Sequence, residues 1–207
     1  MARWAPAKKD QLDALAAEIL HNYGSGRAVV AVDGASTAGT KAFADALADA
    51  MREAGHKVFV ASVRDFRKPR SCRDNSLDDT AAAFYADAFD YSVLQRVLLD
   101  PFRASGSTGF VLAAYDEKRD AQLQPKWATA GRDAILIVEG VFLNRPELAG
   151  LWNYSVWLEV PLGDESADVE TGADALYLAA VSTRSKAVAI VDNGDAKLPR
   201  RVFADSC

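Results

Sequence analysis

The chain has 207 residues, 50% of them hydrophobic and 26% charged, a size and balance that suit one domain with a full hydrophobic core. With 24 basic against 29 acidic side chains and a formal net charge of -5, it lacks the basic face expected of a general nucleic-acid binder. No apolar run approaches ~20 residues, so no membrane span is expected.

The opening Met1-Ala2-Arg3-Trp4-Ala5-Pro6 leads into a polar-apolar pattern and not into a secretory signal, which makes the cytoplasm the expected location. Leu12, Leu15, Ala16, Ile19 and Leu20 recur at helical spacing, and Asn22-Tyr23-Gly24-Ser25-Gly26 stops that helix. Residues 28–32 form a short, nearly all-apolar strand of the kind found at the centre of a parallel sheet. A helix carrying Phe43, Leu47 and Met51 follows, and residues 56–61 are a second strand. Residues 62–80 are polar and read as a long loop of the active-site type. Residues 81–103 read as helix in two parts divided near Asp90, and residues 110–114 as one arm of a small hairpin. Residues 135–138, 155–160 and 187–191 supply three more strands, with a helix over 173–182 before the last. Right-handed crossovers then give a doubly wound sheet with ligand loops at the carboxyl ends of its strands.

Between the first strand and its helix stands Val32-Asp33-Gly34-Ala35-Ser36-Thr37-Ala38-Gly39-Thr40-Lys41-Ala42. A phosphate loop requires Gly, four residues, Gly, Lys, then Ser or Thr. Here the two glycines keep their spacing but the last pair is reversed, Thr40 standing before Lys41. Backbone N–H groups from Ala35 to Thr40, together with the following helix N-terminus, can hold an anion without any lysine. The alternative is a glycine-rich turn that only joins strand to helix. One helical position rotates a side chain by roughly 100°, so Lys41 is expected to leave from a different face than residue 40.

With these segments placed, the chain resembles the uridine kinase and phosphoribulokinase branch of the P-loop kinases. The likeness rests on the loop at 32–34, Val63-Arg64-Asp65-Phe66, Tyr85-Ala86-Asp87-Ala88-Phe89-Asp90 and Tyr115-Asp116. It continues through Val138-Glu139-Gly140, Phe142-Leu143, Pro146-Glu147-Leu148 and Val191-Asp192-Asn193. It implies an α/β, three-layer P-loop kinase-like fold with a five-stranded, mostly parallel doubly wound sheet. One domain is expected over 1–207, with acceptor-site-like loops and helices in 62–130 and a shortened lid-like segment at 161–172. Active members of the family transfer a phosphoryl group from ATP or GTP, with Mg2+, to the 5'-hydroxyl of a nucleoside or a comparable sugar hydroxyl.

Carried onto this sequence, the resemblance makes Gly34, Ala35, Ser36, Thr37, Ala38, Gly39, Thr40 and Lys41 the phosphate-binding set. Glu139, delivered by a buried strand to the crevice, becomes a candidate for catalysis and, with Thr40, for Mg2+; a cap or salt bridge is its other reading. Arg64 occupies the place of the family's catalytic aspartate and cannot act as a base. Asp65 is its neighbour, and a strand end would point the two to opposite faces. Arg64 is therefore expected to clasp a phosphate or, by preference, to pair with Glu139. Arg67, Lys68, Arg70 and Arg73 make the same loop basic, either to recruit an anion or as a solvated face. Arg64, Tyr85, Asp87, Asp90 and Tyr115 form the expected acceptor-binding set, although Asp87 or Asp90 serves equally as a helix cap. Phe84, Phe89 and Phe110 read as core.

The family's lid arginines have no counterpart. Between Arg145 and Arg184 there is no lysine or arginine, but seven acidic residues, and negative charge beside a triphosphate is repulsive. Cys72 and Cys207 lie in no metal-ligand spacing, which fits a reduced compartment or a single pair. His21 and His56 lack the neighbours of a nucleophilic triad. The sequence thus predicts a uridine kinase-like P-loop protein with a degenerate active site, weak or absent phosphotransferase activity, and nucleotide or anion binding. The alternative is an active ATP-dependent nucleoside or small-metabolite kinase using Lys41, Asp65 and Glu139, and a third reading is a structural subunit. A nucleotide or other phosphate-bearing ligand and a homodimer are the partners these readings allow; nucleic acid and membrane are not.

Overall fold

A computed structural model describes residues 7–70, 80–104, 106–164 and 166–203. Cys72, Arg73 and Cys207, considered above, lie outside these residues. The elements in chain order begin with α1 (Lys8–Tyr23), β1 (Arg27–Gly34), α2 (Thr40–Glu53) and β2 (Val58–Ser62). A 3-10 turn at Val63–Phe66 follows β2. Next come α3 (Ala81–Asp87), α4 (Tyr91–Leu94), a π-helical stretch at Gln95–Leu99, and α5 (Asp100–Arg103). Four two-residue strands, β3 (Phe110–Val111), β4 (Tyr115–Asp116), β5 (Ala121–Gln122) and β6 (Trp127–Ala128), pair as β3 with β6 and β4 with β5. The chain returns to the main sheet with β7 (Ala134–Gly140) and β8 (Tyr154–Glu159), then α6 (Val169–Ala180), α7 (Thr183–Lys186), β9 (Ala189–Asp192) and β10 (Arg200–Val202).

The main sheet runs β10-β9-β8-β1-β7-β2. All its pairings are parallel except the antiparallel join of β10 to β9. Five strands were expected and six are present. The additional strand, Arg200-Arg201-Val202, carries two charged residues in three and no apolar period, so it gives no strand signal of its own. Charge at an exposed sheet margin also discourages pairing with another chain.

β1 is almost wholly apolar because its alternate side chains enter two different cores. Val29 and Ala31, with Leu136 and Val138 of β7, join the cluster that contains Phe84, Leu94, Phe102, Ala173 and Tyr177 from α3–α6. Ala28, Val30 and Val32, with Ile135 and Ile137, face the opposite cluster built from α1 and α2. Helices therefore cover both sheet faces, giving a three-layer α/β fold. Phe84, Phe89 and Phe110 are buried in the first cluster, as their reading as core requires.

β1 lies between β7 and β8, where successive crossovers leave in opposite directions. That switch point opens a crevice beyond the carboxyl ends of the strands. The helix expected over 173–182 starts earlier, at Val169, because Asp168 caps it by accepting from the Thr171 amide at 2.7 Å and the Thr171 hydroxyl at 3.0 Å. Among the described residues no helix is long and apolar enough to cross a membrane.

Candidate active site at the phosphate loop

The loop between β1 and α2 has a backbone fixed by small residues. A Cβ on Gly34 would lie 2.7 Å from Cβ of Ala38 and 3.2 Å from Cβ of Leu158, so only glycine lets the loop turn back this closely. Gly39 sits at φ 69°, in the left-handed region that glycine adopts at little cost. The Ala38 amide donates to the Ala35 carbonyl at 2.8 Å, closing the turn. From the far side, buried Asn193 at the end of β9 donates through Nδ2 to the Ala38 carbonyl at 2.8 Å. Two strands of the sheet thus hold the loop in a nest-like shape.

Several side chains on this backbone are engaged within the protein. Thr40, standing where the sequence pattern requires lysine, donates its hydroxyl to Glu139 Oε2 at 2.6 Å. Glu139 is buried at the end of β7, in register with Val32 of β1 and Ser62 of β2. Lys41 leaves on the exposed side of α2 and binds Asp45, one turn on, at 2.8 Å. That contact is the main reason its ammonium is held above the usual lysine value, with weaker contributions from the charges of Glu139 and Asp65. Asp65 is half-buried, and burial followed by the Glu139 charge pushes its carboxyl up, with Lys41 opposing. Lys41, Asp65 and Glu139 are therefore within electrostatic reach of one another, but the hydrogen bonds of Lys41 and Glu139 go elsewhere than to Asp65.

Arg64 and Asp65 sit on a 3-10 turn, begun by Ser62 Oγ accepting the Arg64 amide at 3.3 Å, and not on an extended strand end. The expected Arg64–Glu139 pair is not formed. Arg64 instead binds Glu170 of α6 through two parallel contacts of 2.9 and 2.5 Å. Thr40 donates to one oxygen of Glu139, and the first turn of α6 presents to Arg64 a carboxylate that a guanidinium fork matches. This pair holds the Glu170 carboxyl below the ordinary range.

α6 also reaches the loop itself. Asp174 Oδ2 accepts from the Ser36 amide at 2.7 Å and from the Ser36 hydroxyl at 2.6 Å. Its other oxygen, Oδ1, is buried without a hydrogen-bond partner among the described residues. Burial raises the Asp174 carboxyl above its usual value, and the two Ser36 contacts oppose that rise. One turn further along, Tyr177 donates to Asp33 Oδ2 at 2.6 Å, where Asn144 also donates through its amide at 3.0 Å and Nδ2 at 2.7 Å. Asp33 is fully buried, and desolvation lifts its carboxyl to about 6 against these hydrogen bonds.

The acceptor-like residues are drawn into structure. Asp87 pairs with Lys68, and Arg67 pairs with Glu117 while lying 5.1 Å over the Phe84 ring. Of the expected basic patch, two members are therefore matched by acids. Asp90 caps α4, accepting from the Val93 amide at 2.9 Å and the Ser92 hydroxyl at 2.7 Å. Tyr85 lies beneath the Arg145 guanidinium at 4.6 Å and edge-on to Phe142, and Tyr115 donates to Asp120 at 2.5 Å. A cleft of about 890 Å³ nevertheless opens between Ser36 and Thr37, Arg67 and Arg70, Tyr115, and Asp168 to Glu170.

These residues do not fit Mg2+-ATP as a phosphate loop ordinarily holds it. The lysine faces Asp45, the hydroxyl beside it is given to Glu139, and a carboxylate already takes a loop amide. Glu170, Asp174 and Asn193 were not among the site residues expected from sequence. The spacing of Glu170, Asp174 and Tyr177 at i, i+4 and i+7 is the signal that places them on one helix face.

The order of the sheet, the loop at its switch point and the helices on both faces define a P-loop kinase-like fold. Solved structures agree. The chain is similar to a protein described as a possible uridine kinase from Bacillus stearothermophilus, with 25% identity over 88% of this chain and 97% of that one, at a TM-score of 0.75. A Silicibacter protein described as a fructose transport system kinase matches at 22% identity and TM-score 0.62, over 82% and 94% of the two chains. D-glycerate 3-kinase from Cryptococcus neoformans matches at 12% identity and TM-score 0.53, over 75% and 74%. These likenesses support the uridine kinase and phosphoribulokinase-like branch. No protein-family model matches the chain, and comparison with curated proteins gives no match.

Proposed function

We propose that this chain is a uridine kinase-like P-loop protein whose active site is degenerate, with weak or absent phosphotransferase activity and a retained capacity to bind a nucleotide or another anion. The observation that carries this reading is the exchange at the end of the loop: Thr40 occupies the lysine position and binds Glu139, while Lys41 binds Asp45 on an exposed face. Phosphoryl transfer depends on cations placed against the developing charge of the transferring group. Here the nearest carboxylates are better placed than the cations. A working site would need Lys41 to abandon Asp45 and Arg64 to abandon Glu170.

The active alternative, a kinase for a nucleoside or small metabolite, is favoured by one fact. Lys41, Asp65 and Glu139 still lie close enough to influence one another's charge. The two readings separate by exchanging the reversed pair. The T40K/K41T variant restores the ordinary order of the loop and should bind an ATP analogue roughly 10- to 100-fold more tightly than the natural chain, the value of one added charged hydrogen bond. The natural chain should release ADP from Mg2+-ATP no faster with nucleosides or small sugars than without. Rapid acceptor-dependent ADP release by the natural chain, reduced by the exchange, would establish the active alternative instead.

A further inference from the structure

α6 places two carboxylates and a phenol on one face, and all three meet the crevice side of the fold. Glu170 binds the Arg64 fork, Asp174 binds the amide and hydroxyl of Ser36, and Tyr177 binds Asp33. An oxygen 2.7 Å from a phosphate-loop amide stands where a phosphate oxygen would accept the same bond. A guanidinium engaged by both oxygens of a carboxylate has the geometry with which it would hold a phosphate. The helix therefore offers the crevice two anionic groups, one turn apart, on the two donors that a ligand with linked phosphates would use. The orphaned Oδ1 of Asp174 adds a cost to this arrangement, since a buried carboxylate oxygen without a donor is unfavourable.

We propose that α6 is an internal competitor for the anion site: Asp174 and Glu170 fill the positions of two phosphate groups, and a pyrophosphate-bearing ligand binds by displacing this helix face. The inference rests on the reading of the loop as a retained anion site. A ligand of this class would return the same number of acceptors to Ser36 and Arg64, so exchange leaves neither donor unpaired. It would also be excluded while the carboxylates stay, because two like charges on one set of donors repel. The first two turns of α6, through Glu170 and Asp174, then act as a plug and not as a clamp on the substrate.

Inorganic pyrophosphate without any acceptor is the probe, titrated calorimetrically into the natural chain, D174A and D174N. D174A removes both the charge and the acceptor and should bind about tenfold more tightly or better; D174N, which keeps an acceptor for Ser36, should fall between. Equal affinity in all three folded proteins overturns the proposal. Should D174A fail to fold, D174N alone decides by the same comparison. Amide exchange in the natural chain supplies an independent reading: pyrophosphate should speed exchange across α6 while slowing it at Ser36. Unchanged or slower exchange in α6 at a pyrophosphate concentration that protects Ser36 overturns the proposal, as does the absence of any pyrophosphate-dependent change. Because these readings involve no turnover, their failure is separable from a failure of the proposed loss of catalysis.

Discussion

The phosphate loop and the α6 face meet across one crevice, but they preserve different things. In the loop the backbone is kept: two glycines, a tight turn and the Asn193 staple reproduce a nest for an anion. α6 instead presents carboxylates to the crevice, Asp174 on the Ser36 amide and Glu170 on Arg64. Backbone shape is dictated by sterics that cannot be altered without refolding the sheet around it. The charged groups of this helix face are set residue by residue, while the helix packs into the core through Ala173 and Tyr177. On the proposed reading, a kinase architecture outlasts the charge pattern that catalysis requires.

If the loop is the rigid partner, crowding it should cost stability directly. Gly34→Ala forces a Cβ within 2.7 Å of Ala38 and 3.2 Å of Leu158. Overpacking of this kind costs about 1–3 kcal/mol, and each kcal/mol should lower Tm by roughly 2–4 °C in a chain of this size. A melting temperature equal to that of the natural chain would show that the loop yields, and that its nest is not held by the sheet.

The joint between the two regions should respond to pH. Asp33 accepts the Tyr177 hydroxyl from α6 and is raised by burial from 3.8 to about 6. A raised value in the folded state means that the native protein binds more protons than the unfolded chain across that interval. The contribution of Asp33 to stability is thus fully present below about 4, is lost as pH rises through about 6, and is flat above. The whole effect is on the order of 3 kcal/mol. Denaturant melts of the natural chain and D33N, compared from acid to neutral pH, should converge or cross within that window. Parallel curves would remove Asp33 as the titrating group.

A smaller effect is expected at the Arg64–Glu170 pair, whose side chains are 34% and 33% exposed. Solvent screening reduces such a pair to roughly 1 kcal/mol. A double-mutant cycle with R64A and E170A should return a coupling of that order, and a second cycle with R64A and E139A should return close to none. The reverse result would restore the pairing expected from sequence.

The layers of the fold were legible because β1 and β7 are apolar runs bounded by glycines and α2 has a clear apolar stripe. The sixth strand was not legible, since Arg200-Arg201-Val202 acquires its conformation from the neighbouring β9 rather than from its own pattern. At the site, the reversed Thr40-Lys41 pair and the acidic stretch before Arg184 were visible as letters. Where those acids go was not. Arg64 was expected to pair with Glu139, and its contact with Glu170 instead joins residues 106 positions apart, which no local pattern encodes. Spacing along one helix predicts a shared face, but it does not say which loop that face will meet. The same limit hid Asp174: its helical position was readable, its landing on Ser36 depends on how far α6 leans over the crevice.

The smallest expected effect concerns the residue on which the proposed loss of catalysis turns. Lys41 is 72% exposed and bound to Asp45 at i+4, a surface pair of the kind that adds about 0.3–0.5 kcal/mol to a helix. Lys41→Ala should therefore barely change stability, and alanine's own helix preference offsets part of even that loss. Its effect on pyrophosphate or nucleotide affinity should be equally slight, because the ammonium is engaged by Asp45 on the exposed side of α2. This small value separates the two regions more sharply than a large one would. A lysine that swings back to a bound phosphate would show itself as a loss of affinity of roughly tenfold or more in the same variant, with little change in melting. Such a split between binding and stability would mean that the loop recruits its cation only when ligand arrives, and the degenerate reading of the site would then have to be given up.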